Sequence, residues 1–293
     1  MARSLRVLRR DPAFLVGGGF VLVLLIVTAL TPLIAPYDPL EQFRDALPLT
    51  GDPAGPSDRF LLGTDRSGRD YLSRLLYGAR TSLLIGIGAN AIASIFGLTV
   101  AAAAALIRSP RIALPRGWSA RLPVENALMR LTDLWLSFPV LLLTIAMAFV
   151  FGASVGLVTI IIGTTLWTAT ARIIYGRMLV LRDAEFVEAS RAIGTSSRRI
   201  FSHHLLPHVL PILAVYASLG IAATVLFEAT LSYLGAGVPP PTPTWGTMLA
   251  DHITWFATDP RLVILPGACI TATVLAFNLL GDALRDALDP RSR

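Results

Sequence analysis

Lysine is missing from this chain. All 25 basic residues among its 293 are arginine, and a phosphate-cradling G-x-x-x-x-G-K-[ST] loop requires a lysine. The chain therefore cannot build a standard ATP-hydrolysing site from its own residues. Cysteine is almost as scarce. Cys269 stands alone in an apolar run, which excludes a disulfide framework and a cysteine-ligated metal and leaves a buried, inert thiol. Charge is thin as well, at 15% of residues against 54% hydrophobic, where soluble domains carry about 25% charged residues. That balance describes a membrane protein with no room for a large soluble domain beside it. H-E-x-x-H is absent, and no catalytic residue or metal site is nominated. A net charge of +6 would point to nucleic acid in a soluble protein. Here orientation in a bilayer explains it better, and no nucleic-acid partner is expected.

Six apolar segments are long enough to cross a hydrocarbon layer about 30 Å thick, at about 13–35, 82–107, 128–151, 155–174, 209–231 and 262–280. Arg3, Arg6, Arg9 and Arg10 precede the first. That run exceeds the roughly 7–15 residues of a signal-peptide core, so it reads as an uncleaved transmembrane helix. Eighteen of the arginines fall in the N-terminal tail, in 108–130, in 172–199 and in the C-terminal tail; six more lie in the long loop 37–80, and the last is Arg261. Long loops cross largely regardless of charge, so the short ones decide, and they put positive charge inside. The expected fold is an all-α, polytopic bundle of six transmembrane helices with both termini cytoplasmic. It divides into 1–80 (tail, first span and long extracytoplasmic loop), a core of 81–285 with five spans and a cytoplasmic loop at 183–207, and a tail of 286–293. Gly86, Gly88, Gly97 and the alanines 101–105 place small residues in the second span, where they let helix backbones approach closely.

The most informative stretch is polar and lies between apolar runs: D-A-E-F-V-E-A-S-R-A-I-G-T-S-S-R-R-I-F-S-H-H-L-L-P-H-V-L-P, residues 183–211. Phe186, Ala189 and Ile193 share a face at helical spacing. Gly194 can take the left-handed conformation that stops a helix, and Thr195, Ser196 and Ser197 are N-cap candidates for a second short helix. Pro207 disfavours a helical Leu206 and suits the first turn of the next helix. A helix–glycine–helix with a small-residue face, held at a membrane surface, is a shape for another protein to grip.

E-A-S-R-A-I-G followed after nine residues by H-L-L-P is similar to the E-A-A-x-x-x-G…I-x-L-P loop of ATP-binding-cassette importer permeases. Ser190 replaces an alanine of that pattern and His204 an isoleucine. Three further blocks resemble the dipeptide, oligopeptide and nickel permease family: L-L-G-T-D-R-S-G-R-D-Y-L-S-R-L-L-Y-G-A-R-T-S-L, E-A-T-L-S-Y-L-G-A-G with the Pro-rich segment after it, and F-N-L-L-G-D-A-L-R-D-A-L-D-P. Together they run from about Leu61 to Pro290. Q-F-R-D-A-L, residues 42–47, is similar to dipeptide permeases in particular. The resemblance implies the transmembrane fold of a type I importer and a non-catalytic subunit in the bacterial cytoplasmic membrane. It implies a second, homologous permease, one or two cytoplasmic ATPases carrying ATP and Mg²⁺, an extracytoplasmic substrate-binding protein and a peptide cargo, with no cofactor on this chain. Nickel or another small solute is the alternative cargo, and a self-sufficient secondary transporter the more distant one. Glu185, Glu188, Ala189, Ser190, Gly194, Leu206 and Pro207 would form the ATPase-coupling loop.

Glu228 is an ionisable group in a span. It is a candidate pathway or gate residue, or a packing residue near the outer end. Trp245, Trp255 and Phe256 suit a membrane interface, and Trp245 with Gly246 is a candidate contact for the binding protein. Gly63, Gly68 and Asp70 fit a turn followed by a helix lying at the surface. Asp133, near Arg130, and Pro139 mark a kink at the inner end of the third span. His203, His204 and His208 lack a carboxylate or cysteine to complete a metal site and read as loop histidines facing water or headgroups.

Overall fold

The computed structural model describes residues 11–46, 52–107, 111–113, 119–121 and 124–288. The four arginines of the N-terminal tail, Arg108, Arg116, and the end of the chain from residue 289, Pro290 included, lie outside the described residues. Among these residues ten α-helices follow in order: α1 Pro12–Ile34, α2 Tyr71–Leu106, α3 Val124–Ser137, α4 Val140–Phe151, α5 Val155–Arg182, α6 Glu185–Ala192, α7 Ser197–Ile200, α8 Leu206–Tyr233, α9 Trp245–His252 and α10 Arg261–Leu288. Five of these, counting the continuous stretch Ser197–Tyr233 as one, are long and apolar enough to cross a membrane; α3 and α4 together make a sixth candidate. The helices overrun the apolar segments that announce them, most of all at α2 with 36 residues and at Ser197–Tyr233 with 37. Hydropathy marks only the length that must be greasy, whereas a helix continues for as long as its backbone bonds and tertiary contacts are met.

The kink expected at Pro139 is a sharp break, and one element is unexpected. The third span is broken: α3 and α4 meet at an angle of 86° at Phe138 and Pro139, where the proline lacks the N–H a continuous helix would need. A two-stranded antiparallel ribbon, β1 Arg111–Ala113 and β2 Ser119–Arg121, pairs Arg111 with Arg121 between α2 and α3. It is a small addition to an all-helical fold.

The bundle is built on α2. Against α5 the backbones nearly touch: a Cβ added at Gly97 would lie 2.8 Å from the Trp167 carbonyl, so no larger residue fits there. Further along, Ala101 and Ala105 pack on Ile174, Met178 and Val209. Small residues thus do in α2 what lipid cannot do between helices, letting dispersion contacts form over the full length. On its other side α2 shares a core with α1, α8, α9 and α10 through Ala79, Leu83, Val21, Val225, Trp245, Ile270 and Phe277. Hydroxyls inside the bundle bond back to the preceding turn, as Thr165 does to Ile161 at 2.6 Å and Thr273 to Cys269 at 2.7 Å, leaving no polar atom of theirs unmet.

The end of the bundle opposite α6 is capped by residues 37–46 and 52–70. Asp70 N-caps α2 through the Ser73 amide at 2.7 Å. The helix it opens is no separate surface helix but the first turns of the second span. Buried Asp65 accepts the Ser67 and Arg69 amides at 2.8 and 3.0 Å, the Arg69 guanidinium at 2.7 Å, and pairs with Arg74 at 3.1 Å. The Tyr71 hydroxyl donates to the Leu262 carbonyl at 2.6 Å. Arg261 reaches Asp259, the Ala54 carbonyl at 2.6 Å and the Leu62 carbonyl. These bonds lash the loop to α2 and α10.

Candidate functional site

The glycine-hinged segment forms at the end of the bundle away from that cap. α6 begins after Ala184 with Glu185 and Glu188 in its first turn and carries Arg191 in its last, the charge order that suits the helix dipole. Its end is a Schellman motif. Gly194, at φ +83°, donates its N–H to the Arg191 carbonyl at 2.9 Å, and Thr195 donates to Ser190 at 3.0 Å, satisfying carbonyls the helix would otherwise orphan. Open space surrounds Gly194: an added Cβ would meet nothing within 4 Å. Backbone conformation alone therefore favours glycine here.

One face of this element is anchored and the other is free. Val187, Ile200 and Leu205 are buried together against Leu106, Leu181 and Phe201. Glu185, Phe186, Glu188, Ala189 and Gly194 are exposed, and Ile193 is 84% exposed. The two departures from the family pattern meet each other. The Ser190 hydroxyl donates to the Phe186 carbonyl at 2.8 Å and lies 3.3 Å from His204 Nε2, while the Phe186 ring stacks on His208 at 5.6 Å. His208 Nδ1 in turn donates to the His204 carbonyl at 2.6 Å. Among the described residues no cluster of three or more His, Cys, Asp or Glu is placed to hold a metal.

Pro207 falls in the first turn of α8 as expected, but it does not keep the residue before it out of the helix. Leu206 is helical at φ −56°, ψ −47°, and the chain runs unbroken from Ser197 to Tyr233. A π turn at Phe201–Leu205 makes this possible: the Leu206 amide bonds to Phe201, one residue further back than in an α-helix, so the ladder widens just where proline offers no N–H. Leu206 is half-buried and Pro207 exposed.

The base beneath the loop is braced by residues that no local pattern marks. Arg182, at the end of α5, donates to Glu125 of α3 at 3.0 Å and to the Ala105 carbonyl of α2 at 3.4 Å, and the Tyr175 hydroxyl donates to the same Glu125. Three helix ends are thereby joined at the point where α6 departs. An open cavity of about 540 Å³, lined by Arg182, Asp183, Glu188, Arg191 and Ala192, lies in the angle between α5 and α6. It sets Glu188 beside two guanidinium-bearing residues.

Glu228 belongs to a different assembly. It is fully buried on α8 and accepts the Ser232 hydroxyl at 2.7 Å and the Ser82 hydroxyl at 3.1 Å. Ser82 also accepts the Trp245 amide at 3.1 Å, so one carboxylate ties α8, α2 and the start of α9 together. Trp245 is 1% exposed, and its indole N–H donates to the Leu75 carbonyl at 3.2 Å. A Cβ on Gly246 would lie 2.7 Å from Ala229 Cα. The binding-protein contact expected at Trp245 and Gly246 does not fit this packing, because neither offers surface to a docking protein; Trp245 holds α9 onto α2 and Gly246 packs it against α8. On α9, buried His252 donates from Nδ1 to the Met248 carbonyl at 2.7 Å and meets Tyr71 edge-on at 5.8 Å. Burial pushes its pKa down from the ordinary histidine value.

Residues 116–293 match the family of binding-protein-dependent transport system inner membrane components, and residues 1–50 match the N-terminal transmembrane domain of oligopeptide transport permease C. The chain belongs to this inner-membrane permease family. It is 41% identical to the di/tripeptide transport system permease protein DppC of Pseudomonas aeruginosa (strain UCBPP-PA14), over 94% of this chain and 87% of that one. It is 40% identical to the dipeptide transport system permease protein DppC of Escherichia coli K12, over 97% and 90%, and 37% identical to a glutathione transport system permease protein GsiD of E. coli strain 536, over 97% and 88%. The fold is similar to that of the MetNI methionine ABC transporter in inward-facing form, with a TM-score of 0.58 at 18% identity over 74% of this chain and 97% of that one. A permease of this family is a multi-pass inner-membrane component of an ABC transporter served by ATPase and binding-protein partners.

Proposed function

We propose that this chain is one of two homologous permease subunits of an ATP-driven importer of dipeptides and short oligopeptides, with both termini in the cytoplasm and ATP and Mg²⁺ held only by partner ATPases. It contributes half of the pathway and no catalytic residue. The observation that carries the reading is the α6 element: an exposed face of Glu185, Glu188, Ala189 and Ile193 on a helix capped at Gly194, rooted by Val187 and braced at Arg182. Such a helix fits a groove on another protein. Closure of the ATPases would move α6, and the unbroken helix Ser197–Tyr233 would carry that displacement into the bundle, since a π turn transmits force where a loop would absorb it. Peptide cargo is favoured over nickel by the peptide and glutathione permeases among the chain's near-full-length relatives. A secondary transporter is disfavoured because Glu228, the carboxylate it would use, is packed among hydroxyls.

The test is gentle purification of the tagged chain from native membranes with mass spectrometry of what accompanies it, followed by reconstitution. A second permease, ATPases and ATP hydrolysis stimulated by binding protein with dipeptide are expected. A chain that purifies alone, or a complex stimulated by Ni²⁺ and not by peptides, overturns the proposal.

A further inference from the structure

One ion pair is used by nothing described so far. Arg172 of α5 donates to Asp133 of α3, and the two side chains are 52% and 56% exposed. Asp133 does not lean on Arg130, its neighbour on the same helix, but reaches across to a second candidate span. Leu131 and Leu134 of α3 and Phe138 just after it are exposed as well, and Gly176, one turn beyond Arg172, leaves open space.

Three observations converge on this face. Charged groups within spans face a bundle interior or a water-filled cavity and not lipid tails. The helix carrying Asp133 is half of a span broken by 86°, and backbone irregularity at membrane depth is tolerated where it is covered by protein or lines a cavity. Broken helices are also where transporters place cargo. The pair neutralises itself when alone, yet each half is exposed enough to take another partner, unlike the enclosed Asp65–Arg74 pair at the cap.

Building on the peptide-import reading, we propose that Asp133 and Arg172 line the translocation pathway and exchange partners with a passing peptide, Asp133 receiving the α-ammonium and Arg172 the α-carboxylate. A zwitterion matches the pair end for end, and the guanidinium fork suits a carboxylate bidentately. No bond is made or broken; two ion pairs replace one and revert as the cargo leaves.

The test uses the assembled complex in liposomes with its binding protein and a free dipeptide such as Ala-Ala. Asp133→Asn and Arg172→Gln should each lower peptide taken up per ATP hydrolysed about tenfold while binding-protein-stimulated hydrolysis persists; an unchanged ratio in both overturns the proposal. Gly176→Cys, in a Cys269→Ala background, reports the face without touching the pair. Labelling by a charged, membrane-impermeant thiol reagent, slowed by dipeptide during turnover, is the expected result. Labelling only by a lipid-soluble maleimide would make this a lipid face. Labelling that disappears once the second permease is bound would make it a subunit interface. Either outcome overturns the assignment. A wild-type complex that takes up no peptide would defeat the cargo reading instead, and the labelling would still decide whether the face is wet.

Discussion

Replacing Gly194 isolates backbone conformation from contact, because nothing lies within 4 Å of where a side chain would start. At φ +83° an L-residue pays about 1–2 kcal/mol, a β-branched one the most, whereas asparagine tolerates this region. α6 has eight residues, short of the roughly 12–15 at which an isolated helix becomes even marginal, so its geometry depends on the cap and on the Val187 anchor. A strain of about 1–2 kcal/mol changes the balance between capped and uncapped forms by about 5–30-fold. If the capped form is the one the ATPase grips, Gly194→Val lowers coupled dipeptide uptake by up to that factor, Gly194→Ala by less, and Gly194→Asn barely at all. The assay is uptake and ATP hydrolysis by the reconstituted complex, with the amount of inserted permease measured alongside and expected to be unchanged. Equal loss in Val and Asn variants would refute the reasoning, since it would mean the partner needs the space itself. Full activity of Gly194→Val would show that coupling does not pass through this cap.

Three further outcomes are expected. Ser190→Ala and His204→Ile should each impair uptake more than the double change, since the two side chains face each other at 3.3 Å; strict additivity in the double-mutant cycle would deny the coupling. Trp245→Ala should destabilise the purified chain by about 3–5 kcal/mol, the cost of removing a buried tryptophan; unchanged thermal stability with lost binding-protein stimulation would return Trp245 to the surface. His252 is held neutral by burial, with Asp65, Asp251, Arg74 and Tyr71 around it. Its folded pKa lies below its unfolded one, near 6.5, so the unfolded chain binds the extra proton and stability falls as pH drops below that value. Thermal unfolding at pH 7.5 and 5.5 should show the loss, and His252→Gln should flatten it; an equal pH slope in the variant would assign the effect elsewhere.

What could be read from sequence divides along the range of the forces involved. The spans and the glycine hinge are local: a run of apolar residues must leave water wherever it sits, and a positive φ at Gly194 follows from the helix that ends there. Burial of Trp245 is not local. A tryptophan beside prolines reads as an interface residue, and only the approach of Leu75 and Ser82, some 160–170 positions away in sequence, turns it inward. Glu228 shows the same limit from the other side. An acid in an apolar run is legible as unusual, but whether it faces water or hydroxyls depends on Ser82, 146 positions distant. Pro207 does sit in the first turn of α8, but Leu206 is helical before it for a subtler reason. The rule that proline disfavours a preceding helical residue assumes an α ladder, and the π turn at Phe201–Leu205 changes the ladder. The signal was present in part, since His203, His204 and Pro207 are poor choices for a regular helix interior and here sit within or just beyond its wide turn. A run of residues unsuited to an α-helix, in a place where the chain must carry motion from an exposed loop into a span, is therefore better read as a change of helix type than as an end.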